Sequence, residues 1–413
     1  MSLGRVELMN EEVVDRGLKA LVMCLADPTG NPRPNRIIRL LAKQGYDVDV
    51  LSFPFKEGQL PVRKVYSIRK DPPSLSNLTK KILLGGIASI LFRTSGASYL
   101  ARYFNDRRLG ILNLNEEVVK ENYDLIVVEN LELLPFALRT ESIVKVLFDA
   151  REFFTKEFEK SIRFKIFDYP IRHALCSEYL HRCDFLITVS PGLAAAYKEI
   201  FNVEMAVIRS VPYYREIPVN LTRSSSIRMV HHGIANVDRG LQNMIEIVRR
   251  LDSNFTLDFY LVGEERNISY LKKNAQDCER IRFLEPVGFE EIISMLNSYD
   301  IGLYYLEPTG FNVTFNLPNK FFEFIQARLA LAIGPSPDMA EVLRQYQCGF
   351  IAEEFSIESM VNTLKDLTSE KIDLAKKNSD IAAKDLCYEK ESERLLNLIH
   401  GTSLRAENVE HEE

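Results

Sequence analysis

The 413 residues hold 52 Lys and Arg against 58 Asp and Glu, a formal net charge of −6, with 46% hydrophobic side chains, 27% charged ones and no Trp. That length supports two or three domains with sizeable cores, and the acidic balance argues against nucleic acid as a main partner, since phosphate-backbone binders carry a basic excess. The longest apolar run, Ile82 to Phe92, is about half of the roughly 20 residues that span a bilayer, so no transmembrane helix is expected.

The opening MSLGRVELMNEE lacks the basic and apolar regions of a signal peptide, so the cytoplasm is the expected location. Short apolar strands then alternate with amphipathic helical stretches, the pattern of parallel α/β sheets covered on both faces. The first series predicts strands at Leu18–Leu25, Val48–Phe53, Val62–Ile68, Leu125–Glu129, Val144–Phe148, Phe185–Val189 and Met205–Ile208. After Arg209 the chain turns polar and broken through Pro212, Pro218 and the run Thr222–Ser226, as a linker between domains does. A second series predicts strands at Arg228–His232, Leu257–Val262, Ile281–Leu284, Ile301–Leu306, Leu329–Ile333 and Phe350–Ala352. Helices are predicted over Ser356–Leu367 and Glu370–Ile399, followed by a disordered acidic tail at Glu407–Glu413. The expected fold is α/β, with two doubly wound Rossmann-like domains facing across a cleft. Its boundaries read as 15–215 for the first domain, 216–226 for the linker and 227–383 for the second, with a C-terminal helix at 384–400 packing back on the first domain and the tail at 401–413.

The six cysteines form no CxxC pair and sit in apolar segments, so they read as buried thiols. Of the six histidines only His231 and His232 are neighbours, and a strand turns them to opposite faces, so no zinc site is expected.

Two stretches carry chemistry. In NLPNKFFEFIQARLALAI (Asn316 to Ile333), Asn319, Lys320 and Glu323 stand at the start of a helix, where free backbone N–H groups and an ammonium suit an anion. Glu323, one turn in, can accept hydrogen bonds from vicinal hydroxyls such as those of a ribose; equally, it is an acid favoured by the helix dipole. In HHGIANVDRGL (His231 to Leu241), Gly233 permits a tight exit from a strand, and Arg239 precedes the next helix, where a guanidinium can hold a diphosphate or simply stand on a surface loop.

With these residues in place, the C-terminal half resembles the donor-binding domain of GT-B-fold retaining glycosyltransferases, the group 1 or family 4 class. The matching segments are HHGIANVDRGLQNMIEIV, IRFLEPVGFEEIISMLNSYDIGLYYL and LPNKFFEFIQARLALAI. The last resembles the motif P-x-K-x-x-E-Y-x-A-x-G-x-P-V. Weaker matches extend the resemblance to about Leu18 to Leu396. It implies a catalytic phosphate-binding pair at Arg239 and Lys320, a ribose-binding Glu323 and a base pocket at Val287 and Leu296. Gly233, Asn316 and Asn319 complete the donor side. Three departures stand out. Ile234 replaces a phosphate-binding Arg that Lys320 would make up for, Phe315 replaces the first Glu of an E-x7-E pair, and Gln326, Arg328 and Ala330 replace the motif's Ala, Gly and Pro.

PTGNPRPNRIIRLLAKQGYDVDVLSF (Pro28 to Phe53) resembles the family's opening loop, which makes Gly30 the residue expected to approach phosphate or sugar. VLFDAREFF resembles a D-A-H-E stretch with Arg151 for the His, leaving Asp149 and Glu152 as acceptor contacts, or Glu152 as a helix cap. CDFLITVSPGLAAAYKEIF ends a strand at Ser190, whose hydroxyl is expected to cap the next helix. The implied reaction moves a sugar from a nucleotide-diphosphate donor to a hydroxyl with retention, without metal or other cofactor, in cell-surface polysaccharide or glycolipid synthesis. The alternatives are a degenerate module that binds nucleotide or protein, and a nucleotide-sugar 2-epimerase. Finally, Lys80 to Arg108 joins the apolar run to Lys80, Lys81, Arg93, Arg102, Arg107 and Arg108 with Asp106 as its one acid. The segment suits peripheral contact with an anionic membrane at its inner face and a lipid-linked acceptor, or else a buried helix with solvated flanks.

Overall fold

The computed structural model describes residues 17–56, 58–68, 75–111, 118, 120–139, 144–223, 226–235 and 239–401. The expected acidic tail, the first residues and parts of the 222–226 run and of the loop after Ile234 fall outside that set. Thirteen strands among the described residues form two parallel sheets. The first holds β1 (Lys19–Met23), β2 (Asp47–Ser52), β3 (Lys64–Ser67), β4 (Leu125–Val128), β5 (Lys145–Ala150), β6 (Phe185–Thr188) and β7 (Ala206–Val207), in the order β3-β2-β1-β4-β5-β6-β7. The second holds β8 (Ile227–Ile234), β9 (Phe255–Val262), β10 (Ile281–Leu284), β11 (Ile301–Tyr304), β12 (Ala330–Ile333) and β13 (Gly349–Ile351), in the order β10-β9-β8-β11-β12-β13. Both orders reverse direction beside their first strand, as doubly wound α/β sheets do.

The central strands form where they do because they are runs of β-branched and apolar residues that a parallel sheet buries on both faces, while edge strands such as β3 (KVYS) are more polar and partly exposed. All four residues of β4, LIVV, are buried, as are all four of β12, ALAI. Strand β1 pairs with β2 from Lys19↔Asp47 and with β4 from Ala20↔Leu125. By packing, the chain divides into two compact units: one runs to Asp149 and adds Arg182–Asp184, and the other holds Ala150–His181 and everything from Phe185.

The helices used below are α1 (Pro32–Lys43), α2 (Leu75–Ser95), α3 (Tyr99–Leu109), α4 (Tyr169–Tyr179), α5 (Pro191–Phe201), α6 (Leu241–Arg250), α7 (Glu265–Asn274), α8 (Asn319–Gln326), α9 (Pro337–Tyr346), α10 (Ile357–Lys365), α11 (Ser369–Asp385) and α12 (Tyr388–His400). Two sequence expectations change. Helix α2 has 21 residues, nearly twice the apolar run that marks it, and by length and composition it is long and apolar enough to cross a membrane. The single helix expected over Glu370–Ile399 is two, broken after Asp385. At the break, Gln326 Nε2 donates to the carbonyls of Ala383 at 2.7 Å and Leu386 at 3.2 Å, which gives the helix-end carbonyls a long-range partner. The cysteines are free thiols, but Cys183 and Cys278 are only half-buried.

Candidate functional site

Strands β8 and β11 are neighbours in the second sheet, so their C-terminal ends bring His231, His232 and Gly233 beside Tyr304. Ligands of open α/β sheets bind outside these strand ends. Gly233 has φ +119°, and a Cβ there would lie 2.5 Å from Lys320 Nζ and 3.1 Å from Lys320 Cε. Lys320 therefore lies directly across the glycine, and its ammonium is 5.8 Å from the centre of the Tyr304 ring. It is the second residue of α8, whose N-cap is Pro318 with no side-chain oxygen on the first-turn amides. Those N–H groups are thus available to an anion.

The electrostatics around Lys320 are uncompensated. Desolvation and then the like charge of Arg239 push its ammonium down to about 8, against a smaller opposing pull from Glu323. Arg239 is exposed in the turn before α6, whose N-cap, Gly240, has φ 71° and no side-chain cap. His231 is completely buried, with Nδ1 2.8 Å from the Leu303 carbonyl oxygen and no protein partner at Nε2. Desolvation, and next the charge of Lys320, hold its pKa well below the ordinary histidine range. The ring is therefore neutral, donates Nδ1–H to Leu303 and keeps a lone pair on Nε2. Burial also pushes Tyr304 up to about 12, against the Arg239 charge and a hydrogen bond with Asn316.

Glu323 is buried in α8, and its Oε2 comes within 3.2 Å of His232 Nε2, though the ring N–H is not aligned for a hydrogen bond. Gly233, Lys320, Arg239, Asn316, Asn319 and Glu323 thus belong to one strand-end region, and the structure adds His231, His232 and Tyr304. The signal for Tyr304 was its place at the end of a buried strand. For His232 there was none, because its partner lies on another element. Of the expected base pocket, Val287 is half-buried in the loop after β10, but Leu296 is 0% exposed within the core. Leu296 backs the domain from inside the core, so of the two expected pocket residues Val287 is the accessible one.

The residues expected on the acceptor side differ in their surroundings. Gly30 is exposed in the loop before α1 with open space around it. Asp149, at the end of β5, is fully buried and gripped by Arg33 of α1, with Nη2 2.8 Å from Oδ1 and Nε on Oδ2. Both oxygens hold a structural cation, so Asp149 is not a free acceptor contact. Glu152 is solvent-exposed, and partial desolvation followed by repulsion from Glu157 raises its carboxyl above the usual range. It does not cap the following turn, whose N-cap Phe153 has no side-chain bond. Ser190 Oγ accepts the Leu193 N–H at 3.4 Å as a cap and donates to the Phe315 carbonyl at 2.8 Å.

That second bond belongs to a set that fixes the loop before α8. Asn312 Oδ1 accepts the Phe153 N–H at 2.7 Å, and Glu159 Oε1 accepts the Phe311 N–H at 2.7 Å. The Phe315 ring lies where any side chain on Gly192 would have to be, 2.0 Å from an ideal Cβ. Phe315 therefore packs against α5, the role left to it once the family's acid is absent, while its neighbour Asn316 reaches Tyr304.

No family model matches the chain, and no curated protein matches it either. Solved structures do. HepE from Anabaena in complex with UDP-glucose shares 12% identity and a TM-score of 0.64, over 93% of this chain and 100% of that one. WaaG, a glycosyltransferase involved in lipopolysaccharide biosynthesis, shares 14% and 0.60, over 93% and 100%. Sucrose-phosphate synthase from Thermosynechococcus elongatus shares 12% and 0.63, over 93% and 99%. The chain has the GT-B fold of these proteins, in agreement with the fold that the sequence motifs implied.

Proposed function

We propose that the chain is a retaining, metal-independent glycosyltransferase that moves a sugar from a nucleotide-diphosphate donor to a hydroxyl acceptor in cell-surface polysaccharide or glycolipid synthesis. The observation that carries this reading is Lys320 lying across Gly233 with its charge uncompensated, beside the uncapped start of α8 and within the field of Arg239. An anion placed there relieves the repulsion between the two cations and accepts the free amides. Further support comes from the fold neighbours that use nucleotide sugars, among them HepE with UDP-glucose, and from WaaG for a surface-glycan role.

In this reading the bond from the anomeric carbon to the diphosphate oxygen breaks while the acceptor oxygen bonds to that carbon on the same face. The acceptor's proton passes to the departing phosphate oxygen. Charge grows on the diphosphate, so Lys320, Arg239 and the α8 amides contribute most where the transition state differs most from the bound donor. Glu323 holds the ribose hydroxyls, Val287 borders the base, Asn316 and Asn319 face the donor sugar, and Gly30 and Glu152 serve the acceptor. Incubation with a panel of nucleotide sugars tests the assignment: release of nucleoside diphosphate with free or transferred sugar supports it. An epimerised sugar still joined to its nucleotide, or no turnover with any donor, removes it.

A further inference from the structure

Helix α2 poses a problem that the donor site does not solve. A helix apolar all round is normally buried in a core or a membrane, yet here only one side is covered. Leu84, Gly85, Ala88, Ser89 and Phe92 face the fold, while Leu75 is 84% exposed, Leu83 and Ile90 63% each, and Leu78 and Ile82 about half. At 100° per residue, Leu75, Ile82, Gly86 and Ile90 share one stripe along about 22 Å of helix. After Gly96 (φ 59°) the chain turns back, Ser98 caps the start of α3, and α3 packs on α2 to form a hairpin. Tyr99 at 76% and Leu100 at 50% exposure extend the open apolar surface at the turn, with Tyr103 one helical turn further on.

The charges on this hairpin select the occupant. Residues 75–111 contain six basic side chains and one acid. That acid, Asp106, is buried and paired with Arg139, so it does not offset the exposed Lys80, Arg93 and Arg107. Two copies of such a surface would bring like charges together. A bilayer with anionic headgroups instead takes the apolar stripe into its interfacial region and the cations at its surface. The whole chain carries −6 and the hairpin +5, so the remainder carries −11 and is repelled by the same surface, which orients the protein. We infer that the α2–α3 hairpin is an in-plane anchor for an anionic membrane. The helix lies along the interface and does not cross it, because Leu84, Ala88 and Phe92 stay packed in the fold. The inference is independent of the donor-site reading.

The test is sedimentation of the full chain with vesicles of phosphatidylcholine alone or mixed with phosphatidylglycerol. The chain should sediment with the mixed vesicles at low salt and be released by high salt. Lys80→Gln and Arg107→Gln should each weaken partitioning about fivefold. The triple change Leu78→Ser, Ile82→Ser and Leu83→Ser should abolish it, with circular dichroism and nucleoside-diphosphate binding unchanged. Absence of binding to the mixed vesicles at low salt overturns the inference. So does binding that survives the triple change, or a concentration-dependent dimer in ultracentrifugation that the triple change dissolves, since the stripe would then join two copies.

Discussion

Arg328 donates Nε–H to Asp380 Oδ1 at 2.8 Å from a backbone position with φ 60°, where the glycosyltransferase motif carries glycine. Its guanidinium is fully buried, also donates to the carbonyls of Gln326 and Arg215, and lies 5.2 Å from the centre of the Tyr214 ring. Asp380 is held below the usual carboxylate range: desolvation opposes this, but hydrogen bonds from Arg328 and Lys384 prevail. The departure at this motif position thus exchanges a conformationally free residue for a clamp between the segment around Arg215 and α11. Arg328→Ala should lower stability by about 2 to 3 kcal/mol through lost hydrogen bonds and packing, since the Asp380 left behind is 28% exposed and still paired with Lys384. Arg328→Gly should be milder by about 1 kcal/mol because it relieves the left-handed backbone. Equal melting temperatures for the two variants would show that the backbone is unstrained. Since Asp380 titrates low in the fold, the clamp's contribution is present above the unfolded carboxylate range and lost as pH falls through the folded value.

Gly233 and Lys320 define the second prediction. Gly233→Ala places a methyl group 2.5 Å from Lys320 Nζ at φ +119°, and the flexible lysine end yields more readily than the strand. The variant should fold with a loss of about 1 to 3 kcal/mol from backbone strain, while nucleoside-diphosphate affinity falls at least about tenfold. Retained affinity in a folded Gly233→Ala protein would move the anion site elsewhere.

The pH dependence of binding follows from the Lys320 titration near 8. A bound diphosphate favours the charged amine and raises its pKa, so complex formation takes up a proton around pH 8. Affinity should be flat below about pH 7.5 and fall above it, and Lys320→Arg should remove the fall because arginine stays charged. Calorimetry at pH 7 and pH 9 reads both. For the ligand-free protein the sign is opposite: the fold binds fewer protons than the unfolded chain, so this group's contribution improves as pH rises through 8.

The central strands were legible because parallel strands buried on both faces are apolar runs bounded by polar turns, as at LIVV in β4, and the edge strands, such as KVYS in β3, from their spacing between helical stretches. The glycine exit at Gly233 and the helix start at Lys320 were legible because glycine turns and helix starts have local signatures, and the phosphate site proposed there rests on them. What escaped depends on distance in the chain. Arg33 meets Asp149 across 116 positions, and Gln326 caps the Leu386 carbonyl at a helix end from 60 positions away. The apolar run Ile82–Phe92 marks only about half of helix α2, because Lys80 and Lys81 end the run without ending the helix. Leu296 was read as a base-pocket residue from the family resemblance, which does not show that the fold buries it completely in the core.

The Arg33–Asp149 pair gives a fourth prediction. Arg33→Ala leaves a completely buried carboxylate alone and should cost about 3 to 5 kcal/mol, whereas the double change Arg33→Met with Asp149→Leu should be milder than either single change. Denaturant unfolding of the three variants measures this. A double variant as damaged as Arg33→Ala would mean that the pair does more than neutralise its own charges.

The central claim is that Lys320, with Arg239, is a diphosphate site, and calorimetric titration of nucleoside diphosphates into the wild-type chain, Lys320→Ala and Arg239→Ala tests it most directly. The account predicts saturable binding of at least one nucleoside diphosphate to the wild type. It also predicts a loss of about 1.5 to 3 kcal/mol in each variant, the scale of a hydrogen bond to a charged group, with melting temperatures unchanged or raised. Wild-type affinity retained by both folded variants would contradict it.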